Sequence, residues 1–142
     1  MYTFERTAKY YETDQMGIVH HSNYIRWFEE ARIALMGEMG IPYRTMEENG
    51  ILIPVLSVTC TYKHPIRFDE TIVLELGVRN YTGTRFEVVY TGRQKETGLL
   101  SCTGVSQHCF TTKDLKPIRL KRHFPAWHEI FAHAAAEAPD TL

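Results

Sequence analysis

The stretch of the sequence with the clearest chemical potential is Tyr10 to Arg32, YYETDQMGIVHHSNYIRWFEEAR. In it a single carboxylate, Asp14, precedes Gly17, two adjacent histidines and a predicted helix start. The amino end of a helix offers unpaired N–H groups and a partial positive charge, which would polarise a carbonyl oxygen and stabilise an oxyanion. A carboxylate facing that point could attack the carbonyl carbon or deprotonate a water molecule. The arrangement suits acyl transfer to water.

A simpler interpretation stays open, because acidic residues near helix starts are common: Asp14 would only cap a turn or offset the helix dipole. Other chemistries have less support. The histidines form neither HExxH nor a Cys/His cluster, so we expect no metal. TGVSQ, at residues 103–107, lacks the second glycine of GxSxG. No glycine-rich phosphate loop is present, and we expect no cofactor.

The helix that must position this stretch begins near Ser22 or Asn23, both good N-cap types. Gly40 and Pro42 end it through a left-handed cap and a helix breaker. Apolar residues at helical spacing form one broad face, so we expect the helix to be buried on most sides. This face comprises Tyr24, Ile25, Trp27, Phe28, Ala31, Ile33, Leu35, Met36 and Met39.

The rest of the chain predicts strands. Residues 2–10 form a first strand, and alternation after residue 56 indicates four more, the last from about 99 to 111. Gly83 and Gly98 suit hairpin turns, and residues 122–136 form a short terminal helix. The expected architecture is α+β, a single domain over residues 1–142 in which a five-stranded antiparallel sheet wraps a long central helix. One sheet cannot surround a helix, so we expect dimerisation through a sheet edge or through the helix.

Composition excludes several classes of protein. The formal net charge of −1, with no long basic run, argues against nucleic-acid binding. No apolar run reaches the length of a membrane span. The polar start lacks the apolar segment of a signal peptide, and the three cysteines form no CxxC pair. We therefore expect a cytoplasmic protein.

The same run resembles the motif of the hot-dog-fold acyl-CoA thioesterases, in the group of 4-hydroxybenzoyl-CoA thioesterase and the Tol–Pal-associated acyl-CoA thioesterases. The matching positions are Asp14, Gly17, Ile18–Val19, His20–His21, Asn23–Tyr24 and the FEEAR continuation. YKHPIRFDE, at residues 62–70, looks like a strand connection of that family. The resemblance implies the hot-dog fold, a homodimer or homotetramer, and hydrolysis of an acyl-CoA or acyl-carrier-protein thioester.

The resemblance also implies roles for individual residues. Asp14 would be the catalytic carboxylate, and His21 would present its backbone N–H to the thioester carbonyl. Gly17 and Tyr24 would contact the substrate. Trp27, Phe28, Val58 and Tyr62 are expected to line the acyl pocket.

One part of the family pattern is missing. The 4-hydroxybenzoyl group carries a basic cluster before its fourth strand, whereas YTGTRFEV here offers only Arg85. We therefore expect Arg85 and Arg67 to hold the coenzyme A phosphates, with Lys63, Arg93 and the KPIRLKRH segment as further candidates. A hot-dog dehydratase and a non-catalytic acyl-CoA-binding protein are the alternatives, and the acyl group is left open.

Overall fold

One antiparallel sheet of five strands forms the scaffold, in the order β1-β3-β4-β5-β2. The computed structural model describes residues 1–138. The strands are β1 (Tyr2–Thr7), β2 (Val55–Tyr62), β3 (Thr71–Arg79), β4 (Arg85–Gln94) and β5 (Leu100–Cys109). The helices are α1 (Ser22–Glu38), α2 (Tyr43–Glu48), α3 (Leu120–His123) and α4 (Pro125–Glu137), and Tyr10–Glu12 forms a 3₁₀ turn. The expected hot-dog architecture is confirmed.

Helix α1 packs against the inner face of this sheet. Phe28 stacks on Tyr90 of β4 with the ring centroids 4.1 Å apart. A Cβ at Gly104 of β5 would lie 2.4 Å from the Phe28 ring, so this glycine is needed for the close approach of helix and sheet. Gly40 follows the helix with φ +87°, the left-handed conformation expected of its cap.

The expectation that α1 is buried on most sides is wrong for the single chain. Arg26, Glu29 and Glu30 are exposed, and Ile33 is 43% exposed. The sheet curves around one side of the helix only, so apolar residues on the other side stay in contact with solvent. Ile33 is therefore available for contact with another chain.

Two predicted element boundaries also shift. Strand β1 ends at Thr7 because the chain turns at once into the 3₁₀ turn, where the Glu12 carboxylate accepts the Lys9 N–H at 2.8 Å. The terminal helix α4 begins at Pro125, a residue type favoured at the first helical position. Its buried Phe131 packs on Phe86 and Phe110. None of the helices within residues 1–138 has the length and apolarity to cross a bilayer.

Candidate active site

Asp14 lies in a narrow hairpin between the 3₁₀ turn and α1. Thr13 pairs with Val19, and the Asp14 N–H donates to the Ile18 carbonyl at 2.9 Å. The Gly17 N–H returns to the Asp14 carbonyl at 3.0 Å, which closes the tip. These bonds hold the backbone of Asp14 in one place.

Gly17 is needed at the hairpin tip for its backbone conformation. Its φ is +79°, in the left-handed region that favours glycine. A Cβ there would lie 3.8 Å from Arg67 Nη1, an ordinary contact, so space is not the constraint. Arg67 flanks the hairpin because it forms a bridge with Ile18 on the neighbouring segment.

The Asp14 carboxylate is half-buried and only partly used by the protein. Its Oδ1 accepts the Met16 N–H at 2.8 Å, a turn that fixes the side chain. Among residues 1–138 the other carboxylate oxygen makes no hydrogen bond. Asp14 therefore does cap a turn, as the simpler interpretation expected, and its second carboxylate oxygen has no hydrogen-bond partner among the described residues.

His21, and not Ser22 or Asn23 as expected, is the N-cap residue of α1. His21 already has helical backbone angles, with φ −54° and ψ −30°. Its N–H meets no acceptor within the described part of the chain, whereas the Ser22 N–H donates to His20 Nδ1 at 3.2 Å. The Tyr62 hydroxyl of β2 donates to the His21 carbonyl at 3.1 Å. The N–H without an acceptor thus lies at the amino end of a helix of 17 residues, where the helix dipole is positive. The hydrogen bond from Tyr62 ties this end of the helix to the sheet.

A cavity of about 260 Å³ lies at this helix end. The rings of Tyr24 and Tyr62 meet edge to face inside it, with centroids 5.0 Å apart. Burial raises the pKa of Tyr24, and burial with the neighbouring Cys60 raises the pKa of Tyr62 to about 12, so both phenols are neutral near pH 7. The lining residues are Asp14, Met16, Ile18, Val19, His21, Tyr24, Tyr62, Lys63, His64 and Pro65.

The structure brings together three of the six predicted site residues. Asp14, His21 and Tyr24 line the cavity. Gly17 and Arg67 lie next to each other beside it without lining it, and the Arg67 side chain is exposed.

Arg85 lies at the opposite end of the sheet. It pairs with Cys109, whereas Tyr62 pairs with Cys102, so the two positions are separated along β5 by about 23 Å at the usual rise of a strand. Arg119, Lys121 and Arg122 line a separate depression of about 430 Å³ that also includes Thr82 and Gly83, near the start of β4. Binding of phosphates by any of these residues stays a prediction.

The expected pocket lining is partly wrong, and one residue was missed. Tyr62 lines the cavity, but Val58 does not, and Trp27 and Phe28 are buried in the core because they face the centre of the sheet. His64, to which the sequence analysis assigned no role, lines the cavity beside Lys63. The sequence feature that could have identified His64 is its position in YKHP, directly after the strand that ends at Tyr62.

Comparisons with known proteins identify the family of the chain. The model of the thioesterase-like superfamily matches residues 9–140. A putative acyl-CoA thioesterase, YneP of Bacillus subtilis (strain 168), is 39% identical over 132 residues, which cover 92% of this chain and 94% of that protein. The crystal structure of a DHNA-CoA thioesterase from Staphylococcus aureus superimposes with a TM-score of 0.88 at 37% identity, covering 92% of this chain and 88% of the other.

The fold also agrees with that of a more distant protein. A 4-hydroxybenzoyl-CoA thioesterase variant, in complex with 4-hydroxybenzoyl-CoA, superimposes with a TM-score of 0.80 at 20% identity. The superposition covers 91% of this chain and 96% of that one. At this identity the likeness concerns the hot-dog fold alone.

Proposed function

The chain belongs to the thioesterase-like superfamily and is a thioester hydrolase, and from that premise we propose that it hydrolyses an acyl-CoA through Asp14. One observation supports this mechanism most directly. Asp14, which has one carboxylate oxygen without a hydrogen bond, and His21, whose N–H has no acceptor within residues 1–138, line the same cavity. Coenzyme A is the proposed carrier because the relatives described above at 39% and 37% identity are named as a putative acyl-CoA thioesterase and a DHNA-CoA thioesterase.

In the proposed reaction the acyl group enters the cavity and its carbonyl oxygen accepts the His21 N–H. Loss of one such donor in other enzymes costs about 10²–10³ in kcat, so this bond is a large part of the expected rate enhancement. Asp14 either attacks the carbonyl carbon, which gives a mixed anhydride, or deprotonates a water that attacks it. In the first route the C–S bond breaks as the anhydride forms, and a water then hydrolyses the anhydride, which releases the free acid and restores the Asp14 carboxylate. In the second route the adduct of the water collapses with cleavage of the C–S bond and gives the free acid directly. In both routes the thiolate of coenzyme A leaves and takes up a proton.

We also propose that the chain dimerises through β2. Val58, Cys60 and Tyr62 alternate onto the face of β2 towards α1, yet Val58 is 37% and Tyr62 is 44% exposed. An edge strand of eight residues with exposed apolar side chains is a template for pairing. Pairing with a second copy would cover this face.

Such a dimer gives Arg85 a role. If two β2 strands pair antiparallel about a two-fold axis, the Val55 end of one lies beside the Tyr62 end of the other. Val55 pairs with His108, next to Phe86 and Arg85, so a second copy would bring its Arg85 end near the cavity. We propose that the phosphates of coenzyme A contact Arg67 of the same chain and Arg85 of the second copy.

The test is a panel of aliphatic and aryl acyl-CoA substrates assayed with a thiol-reactive dye. Asp14→Asn keeps the side-chain volume and an oxygen that can accept the Met16 N–H, so we expect the variant to fold. It lacks the carboxylate, so we expect kcat to fall by about 10²–10⁴-fold. The matched control is Asp114→Asn, which changes an exposed aspartate outside the cavity and is expected to keep full activity.

The other outcomes separate the alternatives. Undiminished hydrolysis by Asp14→Asn would refute the mechanism. Binding of acyl-CoA by the unmodified protein with no thiol release across the panel would indicate a non-catalytic binding protein. Formation of an enoyl thioester from a hydroxyacyl thioester, without thiol release, would indicate a dehydratase.

A further inference from the structure

A second carboxylate near the site, that of Glu12, has no part in the chemistry described above. Its side chain is buried, and the residue is 6% exposed. Oε1 accepts the Lys9 N–H at 2.8 Å and Arg6 Nη1 at 2.9 Å. Oε2 accepts Arg6 Nη2 and the indole N–H of Trp27, both at 2.9 Å. One carboxylate thus joins β1, the 3₁₀ turn and the middle of α1.

The backbone of Glu12 completes these connections. Its carbonyl accepts the Asn23 side-chain amide at 2.9 Å and the His20 N–H at 2.8 Å. His20 is where the hairpin that carries Asp14 runs into α1, so this bond closes the base of the hairpin. Glu12 therefore fixes both chain segments that enter and leave the Asp14 hairpin.

From this geometry we infer that Glu12 is a positioning residue, which sets the separation between the Asp14 carboxylate and the His21 N–H. The inference rests on the proposed function of those two groups. Glu12 does not line the cavity, so it acts on the reaction only through the placement of the hairpin on α1. Reactions that need near-attack geometry are sensitive to displacements of about 1 Å.

The charge of Glu12 matters as much as its shape. Four donors meet its two oxygens, and an amide in its place would turn an NH₂ group towards at least one of them. Burial alone would raise the pKa of Glu12, but the bonds from Lys9, Trp27 and Arg6 outweigh it and the pKa is lowered. The side chain is therefore ionised under ordinary assay conditions.

Glu12→Gln tests this inference in the full-length protein. We expect kcat for the best acyl-CoA of the panel to fall about 10–100-fold while KM changes less than about twofold, because the cavity lining is intact. The matched control is Glu30→Gln. Glu30 is the other carboxylate that holds Arg6, with Nε at 3.1 Å, but it has no contact with the hairpin. We expect this control to keep kcat within about twofold.

Amide hydrogen exchange provides a readout that does not depend on turnover. The N–H groups of His20, Asp14 and Gly17 donate within the hairpin and at its base, so we expect them to exchange at least tenfold faster in Glu12→Gln than in Glu30→Gln. Where Glu12→Gln does not fold, Asn23→Ala removes the bond to the Glu12 carbonyl without altering any charge and is expected to show the same pattern.

Three results would overturn the inference: an unchanged kcat in Glu12→Gln, an equal loss in Glu30→Gln, or unchanged exchange of the hairpin amides. These results can be distinguished from a failure of the proposed function. If neither the unmodified protein nor Asp14→Asn releases thiol, hydrolysis is refuted, while the exchange measurement still decides whether Glu12 positions the hairpin.

Discussion

His108 should make the stability of the protein depend on pH. It is 0% exposed, stacks on Phe86 with centroids 5.0 Å apart, and shares a hydrogen bond of 2.7 Å between Nε2 and Ser106 Oγ. Its Nδ1 makes no hydrogen bond of good geometry within residues 1–138, although the Pro54 carbonyl lies beside it. Burial, followed by the nearby Arg32 guanidinium, lowers the pKa of His108 to about 3.

The size and sign of the effect follow from that pKa. In the unfolded chain the pKa of a histidine is about 6.5, so between pH 6.5 and 3 the unfolded state binds one more proton than the folded state. The stabilisation is therefore complete above pH 6.5 and is lost as the pH falls towards 3, at about 1.4 kcal/mol per pH unit. From pH 7 to pH 5 the contribution of His108 to the free energy of unfolding should fall by about 2 kcal/mol.

Urea titrations at pH 7 and pH 5 measure this loss. His108→Gln should show a pH-dependent loss smaller by about 2 kcal/mol than that of the unmodified protein, whatever its stability at pH 7. His123→Gln, at an exposed histidine, is the control and should keep the full loss. The carboxylates of Glu12 and Glu87 do not interfere, because their pKa values are lowered from 4.5 and their contributions are lost at a more acid pH. Equal losses in His108→Gln and the unmodified protein would refute the reasoning.

Two further predictions concern the hairpin and the sheet edge. Gly17→Ala should cost about 1 kcal/mol of stability by urea titration, because φ is +79° and no clash arises, and it should lower kcat by displacing Asp14. The control Gly98→Ala, at φ +73° in the turn before β5, should cost as much stability but leave kcat unchanged. A loss of kcat in both variants would contradict the role of Gly17 in placing Asp14. Val58→Lys should convert the proposed dimer to monomers in sedimentation velocity, since it places a charge on the exposed inner face of β2. Thr59→Lys, on the opposite face, should remain dimeric, and a monomeric unmodified protein would refute the proposed interface.

Features set by neighbouring residues could be predicted from the sequence. The start of α1 at Ser22, its end before Gly40 and the hairpin glycines Gly83 and Gly98 all depend on local backbone preferences. Asp14 and His21 also belong to one short loop, so their motif predicted their proximity.

Features that depend on pairing across the chain could not be predicted. His64 reaches the cavity because β2 pairs with β5 at the sheet edge, which places the end of β2 beside the start of α1. Apolar periodicity marked Ile33 as buried, but periodicity does not distinguish burial against the same chain from exposure to another one. Arg85 was grouped with the site by its place in a family pattern, although strand pairing puts it at the far end of the sheet.

Glu12 and Asp14 are two acids in the same short run, and the difference in their hydrogen bonding supports Asp14, rather than Glu12, as the proposed reacting carboxylate. Glu12 accepts four donors, so its lone pairs are occupied and its pKa is lowered, which makes it both a weak base and a poor nucleophile. Asp14 accepts one donor from its own turn and keeps one oxygen free at the cavity. Three of the four donors that saturate Glu12 come from Arg6 and Trp27, on other elements, so the residues next to each acid do not indicate which of the two these donors surround. Under the proposed mechanism the first carboxylate holds the hairpin to the helix, and the second attacks the substrate or activates water.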